Sequence, residues 1–236
     1  IQLEVLHTPG HTLESICLLL RDGSGQPEAL FTGDTLFVGD VGRPDLAVAR
    51  TGLTREQLAG LLYDSLQAKI LPLPDDVVVY PGHGAGSACG KNIGKETQTT
   101  LGQQRRTNYA LQPMPRGAFI EALIEGLSAP PRYFFYDAGL NQRGPAPLAE
   151  VLAAVRRPLP PAAVEAAIAA GAVVLDTRAP QAFETGYIPG ALNVGLTGQY
   201  AIWVGTLLSH EQRLVIVAEP GAEAEALERL ARIGYE

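Results

Sequence analysis

Three short segments bring metal-ligand residue types to places where the chain can bend. HTPGHT (7–12) carries His7 and His11, TGDTLF (32–37) carries Asp34, and YPGHG (80–84) carries His83. Each follows an apolar run that reads as a strand, so each sets an imidazole or a carboxylate just past a strand end, where loops from separate strands can meet. Two imidazoles and one carboxylate form a borderline-to-hard donor set suited to Zn(II), Fe(II) or Mn(II). Singly these residues are weak signals: a histidine after a strand commonly makes a structural hydrogen bond, and an aspartate such as Asp34 commonly closes its own turn. Their co-occurrence, in this order and each beside a glycine, points to a shared metal centre at His11, Asp34 and His83.

The elements that must position these residues are legible on either side of them. Leu3–Leu6, Ile16–Leu20 and Ala29–Phe31 read as strands bounded by Gly, Pro, Asp and Ser, with DGSGQPE (22–28) as a hairpin-type connection. Thr54 to Ala68 has helical spacing, with Leu58, Leu61, Leu62 and Leu66 on one face, Thr54 as N-cap and Gln57 three residues on. Val77–Tyr80 is an apolar strand running into PGHG, and 97–127 is helical with a break at QPMP (112–115). Residues 129–160, rich in Pro, Gly and Arg, read as a linker between a first domain, 1–128, and a second, 161–236. In the second, helix and strand alternate: helix 161–170, strand Val173–Asp176, short helix Pro180–Glu184, helix Tyr200–Leu208, strand Leu214–Ala218 and helix Ala222–Ile233. Such alternation implies a parallel sheet flanked by helices.

The order TPGHT, TGD, PGHG resembles the later motifs of the metallo-β-lactamase superfamily, over roughly residues 1–125. The resemblance implies the C-terminal part of an αββα sandwich, with His11, Asp34 and His83 at metal-ligand positions and Asp34 able to bridge two ions. The family's first motif, HxHxDH, has no counterpart upstream of TPGHT here. His7 matches no ligand position and is expected to be structural. TGDTLFVGDVGRPDL (32–46) and YPGHGAGSACGK (80–91) resemble persulfide dioxygenases fused to rhodanese domains. That resemblance implies one Fe(II) on a face of two histidines and an aspartate, with His11 and Asp34 among them and His83 nearby, and a thiol persulfide of the glutathione type and O₂ as reactants. It also suggests Arg43 and Lys91 as partners for substrate carboxylates and Cys89 as a contact for substrate sulfur; a local ion pair of Arg43 with Asp45 or Asp40, and a small buried hydrophobe at Cys89, are the plainer alternatives. A glyoxalase-II-like hydrolase, with two Zn(II) ions activating a water against a thioester, uses the same later motifs. A non-catalytic scaffold that keeps the loops only as structure is the third reading.

VVLDTRAPQAFETGYIPGALNV (173–194) resembles the structural signature of rhodanese-like domains, with Asp176, Arg178, Gly186, Pro189, Gly190, Ala191 and Asn193 matching it. In a working rhodanese the loop after the next strand begins with a cysteine and wraps its N–H groups around a persulfide anion. Here that strand runs into AEPGAEAEA (218–226), and Ala218 stands at the cysteine's place. Both cysteines of the chain, Cys17 and Cys89, lie in its first half. The second domain is therefore expected to be structural, and the resemblance implies a further, cysteine-bearing rhodanese domain downstream.

Composition bounds the rest. The 236 residues, 46% hydrophobic and 18% charged, suffice for two folded domains. A net charge of -7 argues against a general nucleic-acid binder. No apolar run approaches the length of a membrane span, and no signal peptide is visible. Two cysteines make no disulfide framework, which fits the cytoplasm. A second copy of the chain is compatible with all of this as a partner. The chain opens on Ile1 within a strand-like run and stops just after a helical pattern, so both ends are expected to be cuts through a longer protein.

Overall fold

The computed structural model describes residues 1–127, 129–131, 133–155 and 157–235, apart from the side chain of Ala49; Ser128, where the sequence reading ends the first domain, lies outside the described residues. The chain divides into two compact units, Ile1–Pro130 and Pro131–Glu236.

In the first unit β1 (Gln2–His7), β2 (Ile16–Arg21), β3 (Pro27–Gly33), β4 (Val78–Pro81) and β5 (Thr99–Thr100) form one sheet in that order. The β2–β3 turn closes on Asp22, whose Oδ1 accepts hydrogen bonds from the Ser24 and Gln26 amides at 2.8 and 2.9 Å. β1 and β3 are each antiparallel to β2, and β4 is parallel to β3, with Leu30 opposite Val79. Consequently β1, β3 and β4 run the same way, and all three end at one edge of the sheet. The parallel β3–β4 pair requires a crossover; it contains α1 (Val48–Thr51) and α2 (Arg55–Ser65).

Helix α2 starts where its capping residues dictate. Thr54 Oγ1 accepts from the Gln57 amide and Gln57 Oε1 accepts from the Thr54 amide, the reciprocal capping box expected from the spacing. Its Ala59 and Leu62, with Leu66 beyond it, are fully buried against Cys17, Leu19, Leu30 and Val79. The stretch 97–127 holds α3 (Leu101–Thr107), a 3₁₀ turn and α4 (Arg116–Ile124), which adds Phe119 and Leu123 to the same core. The other face of the sheet carries Leu3, Val5, Phe31 and Tyr80, all exposed, so among the described residues the helices cover one face.

The second unit begins with α5 (Tyr133–Arg143) and α6 (Leu148–Val155), inside the segment read from the sequence as a linker. The residues that read as connector are the punctuation of these helices: Gly144, in the left-handed conformation, closes α5, and Pro147 precedes α6. Tyr133 joins Leu175, Tyr200, Val204, Leu230 and Ile233 in a second hydrophobic core. Then α7 (Pro161–Ala169), β6 (Val173–Asp176), α8 (Pro180–Glu184), β7 (Leu192–Asn193), α9 (Tyr200–Leu207), β8 (Leu214–Val217) and α10 (Glu223–Ala231) follow. Strand β6 lies between β7 and β8 and is parallel to both, the parallel sheet expected from the alternation. The signature residues hold its turns. Buried Asp176 accepts a two-pronged bond from Arg178 at 2.9 and 2.6 Å, and Asn193 Nδ2 donates to the carbonyls of Asp176 and Arg178, each at 3.0 Å.

Candidate metal centre

Because β1, β3 and β4 end at one edge, the three ligand-bearing loops leave the sheet together. Buried hydroxyls fasten the first two: Thr8 and Thr35, both fully buried, share a hydrogen bond of 2.8 Å beneath the loops that carry His11 and Asp34. The Gly82 amide donates to the Gly33 carbonyl at 2.8 Å and fastens the third loop to the second. Close approach here depends on missing side chains. A Cβ on Gly42 would overlap the Asp34 carbonyl oxygen and stand 2.9 Å from His11 Cβ, and one on Gly82 would stand 2.7 Å from Asp34 Oδ1.

His11 Nε2 lies 3.4 Å from Asp34 Oδ2, and His83 Nε2 lies 3.3 Å from Asp34 Oδ1. His11 is buried, whereas the side chain of His83 is 43% exposed and therefore open to solvent. The ligand atoms of His11, Asp34 and Cys89 all lie within 4.8 Å of one another. Donors bound to one cation at about 2.0–2.3 Å sit at most about 4.6 Å apart, so this trio is close to the spacing that one ion imposes. His11 Nδ1 is 2.8 Å from the carbonyl oxygen of Arg43. A carbonyl only accepts, so Nδ1 carries the proton, and in neutral His11 Nε2 presents a bare lone pair to the Asp34 carboxylate. Two acceptors face to face need a cation or a proton between them. The donor set and its orientation thus fit a divalent metal.

Burial opposes the Asp34 carboxylate's charge, but when a proton rather than a cation sits between these groups the hydrogen bond and charge of His11, and then those of His83, outweigh it and hold the pKa below the usual value. Burial pushes the Cys89 thiol up, and the Asp34 charge adds to it against a hydrogen bond from Ser87.

The other sequence candidates are placed as follows. The Arg43 guanidinium, 2% exposed, makes a two-pronged bond to Asp45, 2.7 Å on each arm, and reaches the Ala88 carbonyl at 3.3 Å. Lys91 Nζ donates to the Ala122 and Glu125 carbonyls at 2.6 and 3.1 Å, neutralising the C-terminal end of α4. Arg43 and Lys91 line one cleft of about 390 Å³ with Asn92 and Glu125. His7 Nε2 bonds the Leu13 carbonyl at 2.7 Å, the structural part expected of it. Sequence reasoning missed the Thr8–Thr35 pair, because a threonine beside a turn signals a cap as readily as a buried brace.

Residues 160–236 match the rhodanese-like domain family. A 2.1 Å crystal structure of a metallo-β-lactamase from Staphylococcus aureus subsp. aureus COL superposes on 99% of this chain and 65% of its own, at 34% identity and a TM-score of 0.82. An uncharacterised protein of Mycobacterium tuberculosis is 37% identical over 117 residues, 49% of this chain and 43% of that protein. The hydroxyacylglutathione hydrolase GloC of Haemophilus influenzae is 34% identical over 105 residues, 44% of this chain and 38% of that enzyme. The matches thus span less than half the length of these curated relatives. No helix among the described residues is long and apolar enough to cross a membrane. The chain combines a rhodanese-like domain with a metallo-β-lactamase fold, and hydroxyacylglutathione hydrolases are among its relatives.

Proposed function

We propose that this chain belongs to a cytoplasmic enzyme that oxidises the outer sulfur of a low-molecular-weight thiol persulfide, of the glutathione type, with O₂. In balance, persulfide, O₂ and water give the thiol, bisulfite and one proton. The observation that carries this reading is Cys89, whose sulfur lies in the same donor cluster as His11 and Asp34, so a substrate there meets a soft, polarisable atom beside two harder donors. A rhodanese-like domain in the same chain, and the likeness of 32–46 to persulfide dioxygenases, support it.

The proposed cofactor is Fe(II), held by His11 and Asp34 together with a donor from outside these residues. When bound, Fe(II) supplies open positions for a sulfur ligand and O₂ and the one-electron chemistry that O₂ reduction needs. His11 offers Nε2 because its other nitrogen is committed to the Arg43 carbonyl. Asp34 offsets the ion's charge. His83, exposed and 3.3 Å from Asp34 Oδ1, holds or passes a proton at the rim. Lys91 faces the cleft in which the thiol carrier would lie, and Arg43 forms part of its wall with the guanidinium held by Asp45. In this reading the rhodanese-like half serves as structure, and the family resemblance implies a cysteine-bearing rhodanese domain downstream in the whole protein.

One observation favours a second reading. The two oxygens of Asp34 face different imidazoles, Oδ2 toward His11 and Oδ1 toward His83, as a carboxylate bridging two zinc ions would in a thioester hydrolase. Metal analysis of the complete protein separates the two. The dioxygenase carries one iron per chain and consumes O₂ with glutathione persulfide. Its Asp34→Asn variant loses more than about 100-fold in metal affinity, since changes to groups behind the ligands already cost 10–100-fold, while His83→Gln keeps its iron. Two zincs per chain, acylglutathione cleavage without O₂ and loss of one metal in His83→Gln would sink the oxygenase reading.

A further inference from the structure

The segment between Asp40 and Asp45 reaches His11, the Asp34 backbone and Cys89 without supplying a ligand. The main-chain carbonyl of Arg43 accepts from His11 Nδ1 at 2.8 Å, and its amide donates to the Cys89 carbonyl at 2.9 Å. One peptide stretch thus sets the ring of one cluster member and the backbone of another. Its side chain anchors that stretch. The guanidinium is clasped by Asp45 on two arms of 2.7 Å and bonds the Ala88 carbonyl, next to Cys89. Asp40, 1% exposed, pins the far side of the same loop by accepting from the Lys91 and Asn92 amides at 2.5 and 2.7 Å.

From this geometry we infer that Arg43 is a positioning residue: clasped by Asp45, it fixes the carbonyl that selects the His11 tautomer and holds Cys89 in the cluster. This assigns the arginine a role different from pairing with a substrate carboxylate. Lysine cannot replace it, because the clasp uses two guanidinium nitrogens on two carboxylate oxygens and an ammonium is a single point charge. Asp45 matters equally, though it carries no charge that a carboxylate substrate would seek.

The inference rests on the metal-centre reading but not on the dioxygenase reading, and its first readout needs no turnover. Co(II) alone is titrated into the metal-free complete protein, and its visible absorption reports affinity and ligand geometry together. In Arg43→Lys and Asp45→Asn, Co(II) affinity is expected to fall 10–100-fold, the range for groups that orient a ligand histidine, with a shifted Co(II) band and thermal unfolding within a few degrees of the parent. The KM for the thiol substrate, persulfide or acylglutathione, should stay within about twofold when the metal is saturating, because neither group binds substrate. Unchanged Co(II) affinity and spectrum in Asp45→Asn would overturn the inference. So would an Arg43→Lys protein that binds Co(II) like the parent and shows a raised KM, since that pattern belongs to a substrate contact. If the parent protein takes up no Co(II), the metal-centre reading itself fails.

Discussion

Both units use the same device, a loop leaving the C-terminal end of a strand, yet they fill it differently. In the first, the loops after β1, β3 and β4 point imidazoles, a carboxylate and a thiol at one another, and each is braced from behind by the Thr8–Thr35 pair, the Gly82–Gly33 bond or the Arg43 clasp. In the second, the loop after β8 presents Ala218, and the Glu223 carboxylate bonds the Gly221 amide at 2.9 Å, so the loop satisfies itself. The first set of loops lacks something only a cation or a proton can supply; in the second, the Gly221 and Ala222 amides are bonded within the loop itself. The reactive loops leave like-natured donors face to face, whereas the scaffold loop turns a carboxylate onto its own backbone.

Glycines break this comparison most sharply. Gly42→Ala drives a methyl group into the Asp34 carbonyl and the His11 side chain, and overpacking of this kind costs about 1–3 kcal/mol. Gly186 belongs to the rhodanese signature, but a Cβ there meets nothing within 4 Å, and Gly186→Ala is expected to stay within about 0.5 kcal/mol. Denaturant unfolding of both variants, with Co(II) affinity as a second readout for Gly42→Ala, checks the contrast. Equal effects would mean that the ligand loops are no more tightly packed than a signature turn.

Half-buried carboxylates sharpen it next. Asp34 is held below its usual pKa by partners, whereas Asp137 on α5 has a buried Oδ1 without a hydrogen bond among the described residues, and burial, only partly offset by His210, pushes it up to about 6. With a folded-state value above the unfolded 3.8, the stability Asp137 contributes is full below about pH 4 and is lost as pH rises through about 6. Asp137→Asn keeps the neutral shape at every pH. It should stabilise the protein at pH 8 by at most about 1–2 kcal/mol, after allowing for solvent screening at this half-buried site, and the gain should fade toward pH 4. A variant less stable than the parent at pH 8 would show that the charged form has a partner.

How much of this was legible in the sequence follows the range of the interactions involved. Thr54 and Gln57 announce the start of α2 because a capping box is local, and Asp22 announces its hairpin for the same reason. The parallel sheet of the second unit was readable from helix–strand alternation. His11, Asp34, His83 and Cys89 could be named from motifs and family likeness, but their mutual distances could not, since these depend on β1, β3 and β4 sharing a direction. What escaped was short or non-local. β5 and β7 are two residues each and leave no periodicity. Helices α5 and α6 were hidden by their own prolines and glycine. The carbonyls that the Arg43 and Lys91 side chains reach, at Ala88, Ala122 and Glu125, lie 31 to 45 residues away.

The smallest expected effect tests whether the second loop is closed for lack of a thiol or closed by its own carboxylate. Ala218→Cys restores a sulfur at the end of β8, beside the N-terminus of α10. The amides there would ordinarily favour a persulfide anion, but the Gly221 N–H is already bonded to Glu223, and the charges of Glu219, Glu223 and Glu225 repel thiosulfate. Sulfur transfer from thiosulfate to cyanide by Ala218→Cys is therefore expected to stay at the parent's background. Glu223→Gln, added to Ala218→Cys, removes one repelling charge and weakens the competing bond. The double variant should then exceed the single one by about a few-fold, the scale of one charge near a helix terminus. Turnover by Ala218→Cys alone at a rate the second substitution does not improve would show that only the missing thiol silences this domain, and that Glu223 is incidental.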